Sequence, residues 1–160
     1  MIAWVLWFFM ALPLFLLDGW FSGFETFPMP DLTLALCLFM AMHARPASLP
    51  GLLIFAGLAR TVVLDGDAAL HILALGIPVA VLVPARVMFF RRHALWQCLA
   101  AGFLTLALAK VGALLGRFAD GEIAASVSFV DVMWAMLLVP PAAWILRSLP
   151  PLSRFRERSE

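Results

Sequence analysis

Apolar residues fill the chain in six runs, at about 2–17, 32–43, 49–64, 68–90, 94–116 and 125–148, separated by short polar or Pro/Gly-bearing stretches. The last three runs reach roughly 20 residues or more, enough to cross a ~30 Å hydrocarbon core as helices, and the first is marginal. The second and third are short. At 1.5 Å per residue, a 12-residue run covers only about 18 Å. Residues 32–64 are therefore expected either as two tilted helices extended by their flanks or as a re-entrant hairpin. Both leave the parity of the chain unchanged. The expected fold is all-α: an integral membrane bundle of about six transmembrane helices over residues 1–149, followed by a short basic tail at 150–160. Pro78 and Pro84 in the fourth run, and Pro140-Pro141 in the sixth, remove backbone donors inside helices and are expected to kink them.

Composition sharpens this picture. Of 160 residues, 64% are hydrophobic and 13% charged, with a mean hydropathy of +1.02. A soluble domain needs about a quarter of its residues charged to cover its surface, so a polytopic membrane protein is expected. The net charge of +1 hides an uneven distribution. Alternate connections and the tail hold Arg45, Arg86, Arg91, Arg92, Arg147, Arg154, Arg156 and Arg158, whereas the other set holds only Arg60, Lys110 and Arg117. By the positive-inside rule the first set faces the cytoplasm, and both termini lie inside. Asp18, Glu25, Asp31, Asp65, Asp67, Asp120 and Glu122 then all fall on the outer side. The N-terminal run lacks a basic leader and a small-residue cleavage site, so it is expected to be retained. Cys37 and Cys98 each lie inside an apolar run without metal or disulfide spacing and read as core filler.

The stretch "ARTVVLDGDAALH", residues 59–71, concentrates polar groups between two apolar runs. Asp65-Gly66 is a turn dipeptide, and Asp67 stands where its carboxylate can accept from the first free N–H groups of the next helix. Asp67 and His71 share a helix face at i, i+4, but no third ligand is spaced with them, which argues against a divalent metal. A CDP-alcohol phosphatidyltransferase signature fails here: Val62 and Leu70 occupy positions that need Asp and Arg, and no downstream Asp pair follows. No nucleophile elbow, zincin helix or phosphate loop is present. The six Trp and 14 Phe read as packing and interface anchors, with Trp4, Trp7, Trp20 and Trp96 near segment ends. No enzymatic activity, cofactor, metal or nucleic-acid partner is expected.

Depth singles out five ionisable residues. Arg60 and Lys110 fall roughly 6–9 Å beneath the outer surface at 1.5 Å per residue, Asp131 lies at a similar depth, and Asp18 and His71 lie at or just below that level. An ionisable group in hydrocarbon costs about 2.5–3.5 kcal/mol even on the lenient scale, so these side chains should meet one another, snorkel or line a wet cavity. The expectation is one outer-leaflet polar layer of Asp131, Lys110 and Arg60, with Lys110 and Asp131 neighbours on antiparallel helices. It serves as a structural ion pair, a docking surface for another protein's helix, or an outward-facing small-molecule pocket. Small residues, including Gly57, Gly102 and the "GALLG" of 112–116, permit close helix approach.

In layout the chain resembles the MreD family of rod-shape-determining membrane proteins. The resemblance rests on a first helix, then "PDLTLALCLFMAM", then "GLLIFAGLARTVVLDGDAALH" in place of a glycine-bearing helix, turn and His-containing helix entry. A basic inner "RRH" and the closing "LLVPPAAWILRSLPPLSRFR" complete it. Four positions after Gly57, where that family often carries an acidic residue, this chain has Thr61. The resemblance implies a fold similar to the six-helix substrate-capture subunits of vitamin transporters. It also implies a non-enzymatic scaffold in the bacterial inner membrane that maintains rod shape within the peptidoglycan-synthesising elongasome. The implied partners are an MreC-like shape protein, a SEDS glycosyltransferase and its transpeptidase. The competing expectation is a substrate-capture subunit of a small-molecule transporter, with Arg60, His71, Lys110 and Asp131 around a ligand.

Overall fold

The computed structural model of the protein describes residues 2–21, 32–64, 67–88, 94–119, 127–149 and Phe155. The described chain is helical, with an isolated bridge at Ala44 and no extended strand. Six α-helices follow in order: α1 (Ile2–Phe21), α2 (Leu32–His43), α3 (Leu49–Val63), α4 (Ala68–Met88), α5 (Ala94–Ala119) and α6 (Phe129–Ser148). A single 3-10 turn, Pro46–Ser48, joins α2 to α3. The spans Pro46–Val63, Ala68–Arg86, Ala94–Arg117 and Phe129–Leu146 are long and apolar enough to cross a membrane, whereas the apolar stretches Trp4–Asp18 and Leu32–His43 are shorter.

Local chemistry sets several helix ends. Asp67 Oδ1 accepts from Ala69 N–H at 3.0 Å and starts α4 as the sequence predicts. At α6, Ser128 Oγ accepts from Val130 N–H at 3.3 Å, while Asp131 Oδ2 accepts from Ser128 N–H at 2.9 Å. That reciprocal pair makes a capping box and moves the start of the helix inward from residue 125 to Phe129. The prolines of α4 and α6 interrupt neither helix: α4 continues through Pro78 and Pro84, and α6 through Pro140 and Pro141.

The shortest helix is the centre of the bundle. Every residue of α2 from Thr33 to Met42 is buried, and α2 packs against α1, α4, α5 and α6. Around it the remaining helices form an arc in which α1 meets α3, α3 meets α4, α4 meets α5 and α5 meets α6. Lipid is as apolar as leucine, so such packing depends on van der Waals fit at close approach rather than on expulsion of water. Glycines supply that approach at two crossings. A Cβ on Gly57 would overlap Ile72 Cγ1 and stand 3.0 Å from the Ile72 Cα, so α3 and α4 touch there backbone to backbone. A Cβ on Gly102 would stand 3.0 Å from Met136 Cγ and 3.5 Å from Val132 Cγ1, which fixes the register of α5 against α6.

One end of the bundle collects several chain segments. The Trp4 and Phe155 rings lie 4.6 Å apart, Arg45 N–H donates to Phe155 C=O at 2.9 Å, and Arg86 Nη1 donates to Ala44 C=O at 2.7 Å. The α2–α3 corner is therefore level with the start of α1 and the end of α4. Within the bundle α2 therefore runs from beside Asp18 to the level of Trp4, but at 12 residues it is shorter than the four helices long enough to cross a membrane. Phe155, 7% exposed, holds the chain after α6 against this same end.

Two aromatic expectations change. Trp7 is fully buried and donates its indole N–H to Leu52 C=O at 3.2 Å, bolting α1 to α3 instead of anchoring at an interface. Trp4 stacks on Phe55 with ring centroids 5.7 Å apart. Trp20, 64% exposed, keeps the position of an interface anchor. Cys37 is buried and Cys98 half-buried.

Candidate functional site

The five ionisable residues expected to form one outer layer take three separate places. Arg60 and His71 flank the tight α3–α4 crossing, since Arg60 lies one turn beyond Gly57 and His71 immediately precedes Ile72. The Arg60 side chain is half-buried, and its Nε is buried without a hydrogen bond among the described residues. His71 N–H donates to Asp67 C=O at 3.1 Å, closing the first turn of α4. Thr61, where the family resemblance expects a carboxylate, donates its hydroxyl to Gly57 C=O at 2.9 Å and so bonds within its own helix. Asp65-Gly66, the turn dipeptide, lies outside the described residues.

Lys110 and Asp131 do not pair. Both are exposed, and Asp131 spends its carboxylate on the capping box. The reason is register. With Gly102 seated between Val132 and Met136, Asp131 is level with about residue 105 of α5, so Lys110 projects roughly five residues, or 7–8 Å, beyond it. The helices are antiparallel neighbours as the short connection predicts, but α5 overhangs the start of α6. On this overhang Lys110, Leu114 and Arg117 continue the exposed face of Leu106. A Cβ on Gly112 or Gly116 would meet nothing within 4 Å.

Asp18 has a third role. Its Oδ1 accepts from Leu32 N–H at 3.1 Å and its Oδ2 from Thr33 Oγ1 at 2.6 Å. Helix N-termini leave their first N–H groups without intrahelical partners, and a carboxylate complements the positive end of the helix dipole. Asp18 of α1 thus caps the buried start of α2 across 14 residues of sequence. Among the described residues no cluster of three or more His, Cys, Asp or Glu side chains could hold a metal ion.

The sequence pattern placed Arg86 in a basic connection, and the structure places it inside the protein. It lies in the last turn of α4, is 4% exposed, and reaches the carbonyl of Ala44 just past the end of α2. A cation there complements the negative end of the α2 dipole. The available signal was its position inside the apolar run 68–90 rather than after it. Arg86 borders a cavity of about 300 Å³ between α2, α4 and α5.

These features define an all-helical bundle built for a lipid bilayer, with its charged groups assigned to helix ends, one helix crossing and one outward face. Going from class to family, no protein-family model matches the chain, and neither a curated protein nor a solved structure matches it significantly.

Proposed function

We propose that the protein is a non-enzymatic membrane scaffold whose exposed helix faces dock the helices of partner membrane proteins. In this reading it serves in the cell-wall elongation machinery, as the MreD-type layout implies, with both termini cytoplasmic. The partners are an MreC-like shape protein and the SEDS glycosyltransferase–transpeptidase pair. The observation that supports docking is Lys110. It lies within the apolar span Ala94–Arg117 and is exposed on the overhanging face of α5. A lipid-facing ammonium costs most at the centre of a span and can snorkel near its end, so a partner's carboxylate at this level would receive Lys110 in a charge-assisted contact. The open flank at Gly112 and Gly116 allows a second helix to approach closely beside it. The capture reading needs Arg60, His71, Lys110 and Asp131 around one ligand, and two of these are exposed on α5 and α6.

Affinity purification of the tagged chain from its native membrane in a gentle detergent, followed by mass spectrometry, tests the proposal. Recovery of shape and elongation-synthase proteins, diminished at least tenfold by Lys110→Met, is the expected result. Undiminished recovery with Lys110→Met would refute the docking face. Co-purification of an energising ATPase instead would overturn the scaffold.

A further inference from the structure

We infer that Phe155 is a releasable clasp: seated on Trp4 and on the backbone of Arg45, it closes one end of the seam between α1 and α6, and its release lets these helices part over α2. This goes beyond the scaffold role and does not depend on it. The outer helices form an arc that begins at α1 and ends at α6, and among the described residues these two make no extended contact with each other. Both pack on α2, whose residues from Thr33 to Met42 are all buried, so the seam is shut in this structure.

The seat of the clasp is built from α1 and α3. Gly51 makes room for the Trp4 indole: a Cβ there would stand 2.7 Å from Trp4 Cη2. The Trp4 ring stacks on Phe55, with centroids 5.7 Å apart and planes at 28°. Phe155 adds a further ring, its centroid 4.6 Å from that of Trp4, and is only 7% exposed. Aromatic pairs at such separations attract beyond the area they bury. A second tie comes from the backbone, where Arg45 N–H donates to Phe155 C=O at 2.9 Å. Ring and carbonyl of one residue thus join the chain after α6 to α1 and to the α2–α3 corner.

No extended helix contact stands behind this clasp, and in lipid no hydrophobic force drives α1 onto α6. At its other end α1 is tied to the start of α2 by Asp18, which accepts from Leu32 N–H and Thr33 Oγ1. The two ends therefore differ in strength. The Asp18 end has two hydrogen bonds to a carboxylate, whereas the Phe155 end has one ring contact and one neutral hydrogen bond. Local opening starts where the fewest contacts hold, so the seam opens from the Phe155 end. In sequence Phe155 stands between Arg154 and Arg156, whose charges are costly to draw into hydrocarbon. The residue is thus released toward water and not into the bilayer.

Trypsin tests the clasp, because cleavage after Arg154 requires Phe155 to leave its seat. In the full chain in mild detergent, Phe155→Ala should speed that cleavage at least about tenfold, with the far-ultraviolet circular dichroism unchanged. Phe155→Trp, which restores a ring, should keep the slow rate. Trp4→Leu removes the other half of the contact and should match Phe155→Ala, and the double variant should be no faster than either. Hydrogen–deuterium exchange followed by mass spectrometry tests the seam. Phe155→Ala should raise exchange at least about tenfold in the first turns of α1 and at the Met42 end of α2, and leave the Asp18 end as it is. Cleavage after Arg154 as fast in the unaltered protein as in Phe155→Ala would overturn the clasp. Unchanged exchange in α1 and α2 once the Phe155 ring is lost would overturn its hold on the seam.

Discussion

The carboxylate of Asp18 is the most exacting test of how this bundle holds its centre. Asp18 receives Leu32 N–H and Thr33 Oγ1, and Thr33 is only 5% exposed, so its hydroxyl has little access to water. A hydrogen bond to a charged group contributes about 1.5–3 kcal/mol, and orphaning a buried donor costs a further 1–3 kcal/mol. Asp18→Ala should therefore destabilise the protein by about 3–4 kcal/mol. Asp18→Asn, which keeps an acceptor for Leu32 and a group able to bond Thr33, should lose about 1 kcal/mol. Thr33→Val removes the hydroxyl while conserving shape, and in a double-mutant cycle with Asp18→Ala its coupling should reach about 1.5–2 kcal/mol. Reversible unfolding of the purified protein in mixed micelles, followed by far-ultraviolet circular dichroism, provides the energies. A loss below about 0.5 kcal/mol for Asp18→Ala, or simple additivity with Thr33→Val, would refute the role of Asp18 as the cap of α2.

Two further perturbations probe the helix contacts. Gly57→Ala should destabilise by about 1–3 kcal/mol, because the added methyl meets Ile72 backbone as well as side chain, whereas Gly112→Ala, with open space around it, should be neutral or stabilising by up to about 1 kcal/mol; comparative thermal unfolding distinguishes them. Asp131→Asn and Ser128→Ala should each cost about 1 kcal/mol through the capping box. Their effects should be strongly coupled to each other, and Asp131→Asn should be additive with Lys110→Met in the same unfolding assay.

Much of the secondary structure was legible in the sequence. The runs at 32–43, 49–64 and 68–90 correspond to Leu32–His43, Leu49–Val63 and Ala68–Met88 within two residues, because the polar turns between them cannot remain in hydrocarbon. Asp67 was legible as a cap because capping is local: carboxylate and N–H are two residues apart. The arrangement of the helices was not legible. In a soluble bundle a polar face marks the outside, but here lipid and protein core are equally apolar, so nothing in the composition of α2 marks it as central. The same ambiguity left Trp7 open between packing and interface anchor, and the structure makes it a buried bolt.

The fate of the charges shows where sequence reasoning stops. Depth counted from segment ends placed Arg60, Lys110 and Asp131 in one layer, but axial register between helices depends on which small residue meets which neighbour. Gly102 against Val132 and Met136 sets that register and carries Lys110 past Asp131. Asp18 meets Thr33 and Arg86 meets Ala44 through contacts 15 and 42 residues apart in sequence. The sequence by itself determined that this chain forms apolar helices, where most of them begin and end, and which connections are basic, since those follow from local hydrophobicity, caps and charge. Only the tertiary structure decided that α2 is the core, that Asp18 caps it from another helix and that Arg86 is buried against its far end, since those depend on helix register and close approach.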